Sequence, residues 1–150
     1  MATNTDNARA FRKYVVEFIG TFFLVMCITM TVRGGFGQFA PLATGLALIM
    51  LVYAAGHISG SHFNPAISLA VYLRGKLDAG DLLPYMVGQF IGSVLAVMLA
   101  GFLLGSNEVP DAATKELSIV PALIAELLGT ILCVFVYLNM FTTRRTSGNI

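Results

Sequence analysis

The sequence predicts an all-α integral membrane protein: four transmembrane helices plus a re-entrant loop with a half-helix, arranged as an incomplete inverted repeat. Three observations predict it. Apolar residues make up 57 % of the 150-residue chain and charged residues 11 %, with a mean hydropathy of +0.80, whereas soluble domains carry roughly 25 % charged residues. Four apolar stretches are long enough to cross a bilayer, given some allowance for the second. Between the second and third lies Gly56–Ala66, Gly-His-Ile-Ser-Gly-Ser-His-Phe-Asn-Pro-Ala, polar and broken by glycine.

A polar N-terminal tail, residues 1–13, precedes the first span, Tyr14–Val32. Its first ten residues are polar, so no cleavable signal peptide is evident and the first span serves as an uncleaved insertion signal. The second span, Pro41–Ala55, is short unless the loop after it re-enters the membrane. Irregular backbone is tolerated at membrane depth only where it is buried in protein or lines a water-filled cavity. Asn64-Pro65 reads as a helix start, with Asn as the N-cap and Pro at the first helical position. The apolar run that follows, Ala66–Leu73, is too short to span, since a bilayer takes about 20 residues. These features together predict a pore element. The third span, Leu83–Leu104, starts near Asp81 and Pro84, and the fourth runs Val120–Phe141. Small residues (Gly88, Gly92, Ala96, Ala100; Ala122, Ala125, Gly129) recur along both, as close helix packing in lipid requires.

Charge fixes the expected orientation. Arg9, Arg12, Lys13, Arg74, Lys76, Arg144 and Arg145 fall on one side, leaving Arg33 and Lys115 opposite. The positive-inside rule makes that side, and both termini, cytoplasmic. The loop 105–119, with Glu108, Asp111 and Glu116, is then extracellular. A net charge of +1 with no basic face argues against a nucleic-acid partner. Cys27 and Cys133 lie inside apolar segments, with neither metal-site nor disulfide spacing, and read as small buried hydrophobes.

A short internal repeat supports the architecture. Glu17-Phe-Ile-Gly20-Thr21 in the first span matches Glu126-Leu-Leu-Gly129-Thr130 in the fourth, at a constant offset of 109 positions. Three spans separate the copies, so they enter the membrane from opposite sides, the mark of inverted-repeat transport proteins. Residues 14–104 thus form a first repeat and 120–150 the start of a second. The offset places a second Asn-Pro-Ala at position 173, beyond Ile150. A chance match between two apolar helices is the competing explanation, weakened by a membrane glutamate in each copy.

Ser59-Gly-Ser-His-Phe-Asn64-Pro65-Ala66, the two Glu-x-x-Gly-Thr starts and Gln89-Phe-Ile-Gly92 resemble the aquaporin (major intrinsic protein) family. The match corresponds to that family's first half plus the first helix of its second. The resemblance implies a channel for water or small neutral solutes, built from six spans and two half-helices, usually tetrameric, with no enzyme activity and no cofactor. His57 makes this half resemble the water-conducting branch more than the glycerol-conducting one. Thr44 departs from the pattern: it falls at the second-span position of the outer constriction, where water-selective members usually carry an aromatic residue.

Within that frame each candidate residue has an expected task. The Asn64 carboxamide, at the positive end of a half-helix, donates to a passing water, besides capping the helix. Two opposed half-helices would flip the water dipole and exclude protons and cations. The carbonyls of Gly60, Ser61 and His62 form an acceptor ladder, with Gly60 suiting the tight backbone, and Pro65 and Ala66 complete the half-helix start. Glu17 and Glu126 face the interior and hold loop groups in place. His57 is a pore-wall hydrogen-bond partner or a pH-sensitive gate. Phe11, Tyr14, Tyr72, Tyr85 and Phe141, near span ends, read as interface anchors. The expected partners are the lipid bilayer, the permeating solute, and further copies of the chain or a complementary second half. The function expected is that of a truncated or half channel that does not conduct alone. The alternatives are a non-conducting half-channel acting as an interaction or regulatory subunit, and an alternating-access carrier, for which neither coupling-ion acids nor paired hinge segments are evident.

Overall fold

The computed structural model describes residues 4–105 and 118–143, and these are helical with no strand among them. Helix α1 spans Asn4–Thr31 and α2 spans Ala40–Ser59. A wide π turn, Val32–Phe36, and a tight 3-10 turn, Gly37–Phe39, reverse the chain between them. The reversal uses Gly35 at φ 85°, a left-handed conformation that costs glycine little. Helices α3 (Pro65–Leu73), α4 (Ala79–Leu104) and α5 (Ile119–Phe141) follow. Three helical stretches are long and apolar enough to cross a membrane: Thr5–Ser59, Ala79–Leu104 and Ile119–Phe141. The first folds back on itself as the antiparallel pair α1 and α2.

Several boundaries differ from those the sequence suggests. Helix α1 begins ten residues before Tyr14, because the polar tail carries no helix breaker and continues the same hydrogen-bonded ladder. Helix α2 extends through His57 to Ser59, so the irregular segment shrinks to residues 60–64. It stops where Gly60 adopts φ 90° and donates its N–H to the Gly56 carbonyl at 3.0 Å, a left-handed C-cap. Helix α4 begins at Ala79, ahead of the start expected near Asp81 and Pro84, which leaves Pro84 inside the helix. Most of the expected segment 105–119, namely residues 106–117, and the charges Glu108, Asp111, Lys115, Glu116, Arg144 and Arg145 lie outside the described residues.

Helix α1 is the hub, packing on both α2 and α4. Its approach to α4 is set by glycines. A Cβ on Gly92 would lie 2.6 Å from the Phe18 carbonyl oxygen, so only glycine permits this spacing. Helix α3 packs between α4 and α5, and Tyr137 is the one buried side chain of α5 among the described residues. Elsewhere large apolar side chains cover the outside of every long helix: Phe90 is 67 % exposed, Phe102 81 % and Leu132 62 %. In water such a surface would be untenable; in lipid it is the ordinary one. Among the described residues the buried interior includes as many polar as apolar side chains, the polar ones being Glu17, Thr21, Ser59, Ser61, His62, Ser68, Asp81 and Gln89. At one end of the bundle Lys13 of α1 pairs with Asp81 of α4 at 2.9 Å, and Tyr14 donates to the other Asp81 oxygen at 2.7 Å.

Candidate functional site

An irregular segment inside an apolar bundle must find partners for its backbone N–H groups. Glu17 accepts from two of the four N–H groups between Gly60 and Phe63. Its Oε1 accepts from the Ser59 hydroxyl at 2.7 Å and from the His62 N–H at 3.0 Å. Its Oε2 accepts from the Phe63 N–H at 2.7 Å and from the Gln89 amide at 2.8 Å. The Ser61 N–H is taken by the Ser59 hydroxyl at 3.0 Å. Every N–H from Gly60 to Phe63 therefore has an acceptor, and the carboxylate is fully occupied.

The segment needs this support because its backbone is strained. Ser61 has φ 56° and Phe63 has φ 47°, left-handed values that non-glycine residues adopt at a cost. The Phe63 ring, 3 % exposed, fills the space over Gly20, where a Cβ would come within 2.0 Å of a ring carbon. Gly20 is the glycine of the Glu-x-x-Gly-Thr run. Its partner in that run, Thr21, hydrogen-bonds the Glu17 carbonyl at 2.7 Å.

A second layer joins the segment to α3, α4 and α5. Gln89 also donates to the Ser68 hydroxyl at 3.0 Å, and Ser68 is hydrogen-bonded to His62 Nδ1 at 3.0 Å. Tyr85 donates to the Ser59 carbonyl at 2.7 Å, and Tyr137 to the Gly60 carbonyl at 2.6 Å. The His62 ring is held edge-on between these two tyrosines, at centroid distances of 5.2 Å and 5.4 Å. Tyr85 is thus buried in the bundle, not an interface anchor, and Tyr14 is tied to Asp81. The Gly60 carbonyl already accepts from Tyr137, whereas among the described residues no hydrogen bond reaches the carbonyls of Ser61 or His62.

Asn64 closes the segment and opens α3. Its backbone is extended, and its Oδ1 accepts from the Ala66 N–H at 2.8 Å, with Pro65 at the first helical position. That bond turns Oδ1 inward to the helix and leaves the two Nδ2 hydrogens as the free donors of the side chain. Asn64 lines an open cleft of about 520 Å³ together with Ala122, Ala125, Glu126, Gly129, Thr130 and Cys133 of α5. Glu126 is exposed there and holds no loop group among the described residues, unlike Glu17. Cys133 is likewise exposed on this cleft rather than buried, and Cys27 is half-buried.

Two candidates lie apart from this cluster. His57 is exposed on α2 and lines a different cleft, with Arg9, Arg12, Lys13, Val16 and Ile58. It points there because α2 continues past Gly56, carrying His57 around the helix and away from Asn64. Thr44 is half-buried in α2 and lines neither cleft. Conversely, Gln89, Tyr85, Tyr137, Ser59 and Ser68 are site residues the sequence reading did not single out as such. The available signal was the presence of a Gln and polar-tipped tyrosines inside apolar spans, where an unpartnered polar group is costly.

Comparison with known proteins shows the family of this chain. The family model for major intrinsic proteins matches residues 4–149. The glycerol uptake facilitator protein-like 6 of Lactiplantibacillus plantarum is 37 % identical over 150 residues, covering 92 % of this chain and 66 % of the relative. Aquaporin Z of Photorhabdus laumondii is 34 % identical, over 70 % of this chain and 48 % of the relative. Aquaporin Z of Brucella melitensis is 32 % identical, over 91 % and 68 %. The chain spans between about half and two thirds of the length of these curated relatives. With the family model matched over nearly the whole chain and three stretches able to cross a membrane, this is an integral membrane protein that belongs to the major intrinsic protein family, whose members are channels and not enzymes.

Proposed function

We propose that the chain forms one half, and part of the other, of a passive channel for water and small neutral solutes such as glycerol. The observation that carries the proposal is the Asn64 side chain. Its oxygen is committed to the helix cap and its two N–H donors are free, at the positive end of α3 on the wall of an open cleft. A donor so fixed orients a passing water through its oxygen. The Ser61 and His62 carbonyls are the acceptors on the approach, and Glu17 keeps them aimed by holding the N–H side of the same segment. In this reading residues 60–73 are a re-entrant loop and half-helix, tolerated at membrane depth because Glu17, Tyr85 and Tyr137 satisfy the backbone.

Proton exclusion needs a second half-helix facing the first. The described residues carry one, so the opposing element comes from the part of the relatives' length outside these 150 residues, or from a complementary polypeptide. The names of the relatives, aquaporin Z and glycerol uptake facilitator, bracket the solute class. Thr44, in place of an aromatic, would widen and add a hydroxyl to the outer constriction, favouring glycerol alongside water. The one-sided placement of Arg9, Arg12, Lys13, Arg74 and Lys76 supports cytoplasmic termini.

Stopped-flow swelling of proteoliposomes tests the proposal. The chain alone should add little water permeability, and the chain with a complementary half should conduct. In that assembly Asn64→Asp should lower water flux and admit cations, since it replaces the donor with an acceptor. Unchanged flux and no ion leak would reduce Asn64 to a helix cap. Failure of every assembly to conduct would favour the non-conducting interaction subunit.

A further inference from the structure

The cleft that collects His57 is on another face of the bundle from Asn64, and its chemistry differs. It has a volume of about 530 Å³ and is lined by Arg9, Arg12 and Lys13 of α1, His57 of α2, and the apolar Val16 and Ile58. Arg9, Lys13 and Val16 follow one another at helical spacing, and Arg12 stands one turn before Val16, so α1 presents a basic strip that becomes apolar. The 28 residues of α1 make a rod about 42 Å long, against a hydrocarbon core of about 30 Å. The apolar part of the helix begins at Tyr14, which puts Arg12 about half a turn and Arg9 about one and a half turns outside the core, at headgroup depth.

The charges in this cleft are unbalanced. Lys13 is neutralised by Asp81, and that carboxylate is also engaged by Tyr14, so it has no second oxygen to offer. Asp6, one turn beyond Arg9, has an interaction of its own. No hydrogen bond or ion pair to Arg9 or Arg12 occurs among the described residues. Two guanidinium groups therefore share a cleft with an imidazole above an apolar floor. Guanidinium binds phosphate oxygens in a bidentate manner, and an apolar floor at this depth suits the glycerol and first methylenes of a lipid.

We propose that this cleft is a binding site for the phosphate headgroup of an anionic phospholipid, seated on Arg9 and Arg12 with His57 beside it and its acyl chains over Val16 and Ile58. None of its lining residues lines the Asn64 cleft.

Native mass spectrometry of the detergent-purified chain tests it, with phosphatidylglycerol and phosphatidylcholine of matched acyl chains as probes. One phosphatidylglycerol should be retained in strong preference to phosphatidylcholine. Each basic residue near an anionic surface is worth roughly fivefold in binding, so Arg9→Gln with Arg12→Gln should weaken it about 25-fold. Arg74→Gln, outside the cleft, should leave it unchanged, and circular dichroism should show equal helix content in all three proteins. Equal retention of the two lipids, or an unaltered preference in the double variant, would overturn the proposal and leave these arginines as orientation signals only. Displacement of the lipid by millimolar inorganic phosphate would also overturn it, because the ligand would then be a free anion.

Discussion

Replacing Glu17 with glutamine changes one oxygen into an amide and tests the centre of the site. Four donors converge on the carboxylate: Ser59 Oγ, the N–H groups of His62 and Phe63, and Gln89 Nε2. The hydroxyl can turn its proton elsewhere, but a backbone N–H can only donate. The new NH2 must face one oxygen position or the other, so either His62 or Phe63 loses its acceptor. An orphaned buried N–H costs about 1–3 kcal/mol, and bonds that were charge-assisted fall from about 1.5–3 toward about 1 kcal/mol each. The sum is roughly 3–5 kcal/mol, the range found when one member of a buried charged pair is removed. Local opening of residues 60–64 should be favoured by two to nearly four powers of ten, up to the ceiling set by global unfolding. Hydrogen exchange of the detergent-purified chain reads this at the amides of Ser61, His62 and Phe63. Glu126→Gln, on an exposed residue, is the control and should leave those amides unaffected. Protection at His62 and Phe63 within threefold of the parent in Glu17→Gln would refute the claim that this carboxylate holds the segment.

Other expectations follow from the packing. Gly20→Ala places a methyl 2.0 Å from the Phe63 ring and should destabilise by at least the 1–3 kcal/mol typical of overpacking, whereas Gly45→Ala, with open space around it, should be neutral or stabilising in a thermal melt. Gly92→Ala should push α1 and α4 apart, because its methyl would meet the Phe18 backbone, and spin-label distances across that pair would report the shift. Tyr137→Phe removes the bond to the Gly60 carbonyl and should cost about 1 kcal/mol with the helices intact; no change in the melt would make α5 a bystander to the segment. Asn64→Ala should lose the cap and about 1 kcal/mol, while Asn64→Asp keeps an oxygen for the Ala66 N–H and should not, which separates the structural role of Asn64 from any role in conduction.

The sequence by itself determined the class of this protein and most of its elements. A long apolar run in a chain this poor in charge favours a membrane helix, and Asn-Pro ahead of an apolar run favours a helix start, because capping chemistry is local. Glu17 was legible for a similar reason, since a carboxylate in an apolar span must have donors. Tertiary structure decided which donors those were. The burial of Tyr85, the tie from Tyr137 to Gly60 across 77 positions, and the Gln89–Ser68–His62 chain depend on how α3, α4 and α5 pack, and no local pattern encodes that. It also decided where His57 points. Residues 56–59 carry two glycine-flanked polar side chains and read as loop, but the ladder of α2 continues until Gly60 adopts its left-handed φ. That single turn of helix separates His57 from Asn64 and sends it to the arginine cleft. Composition and local chemistry name the groups that must be satisfied; only the packing of the helices says by what.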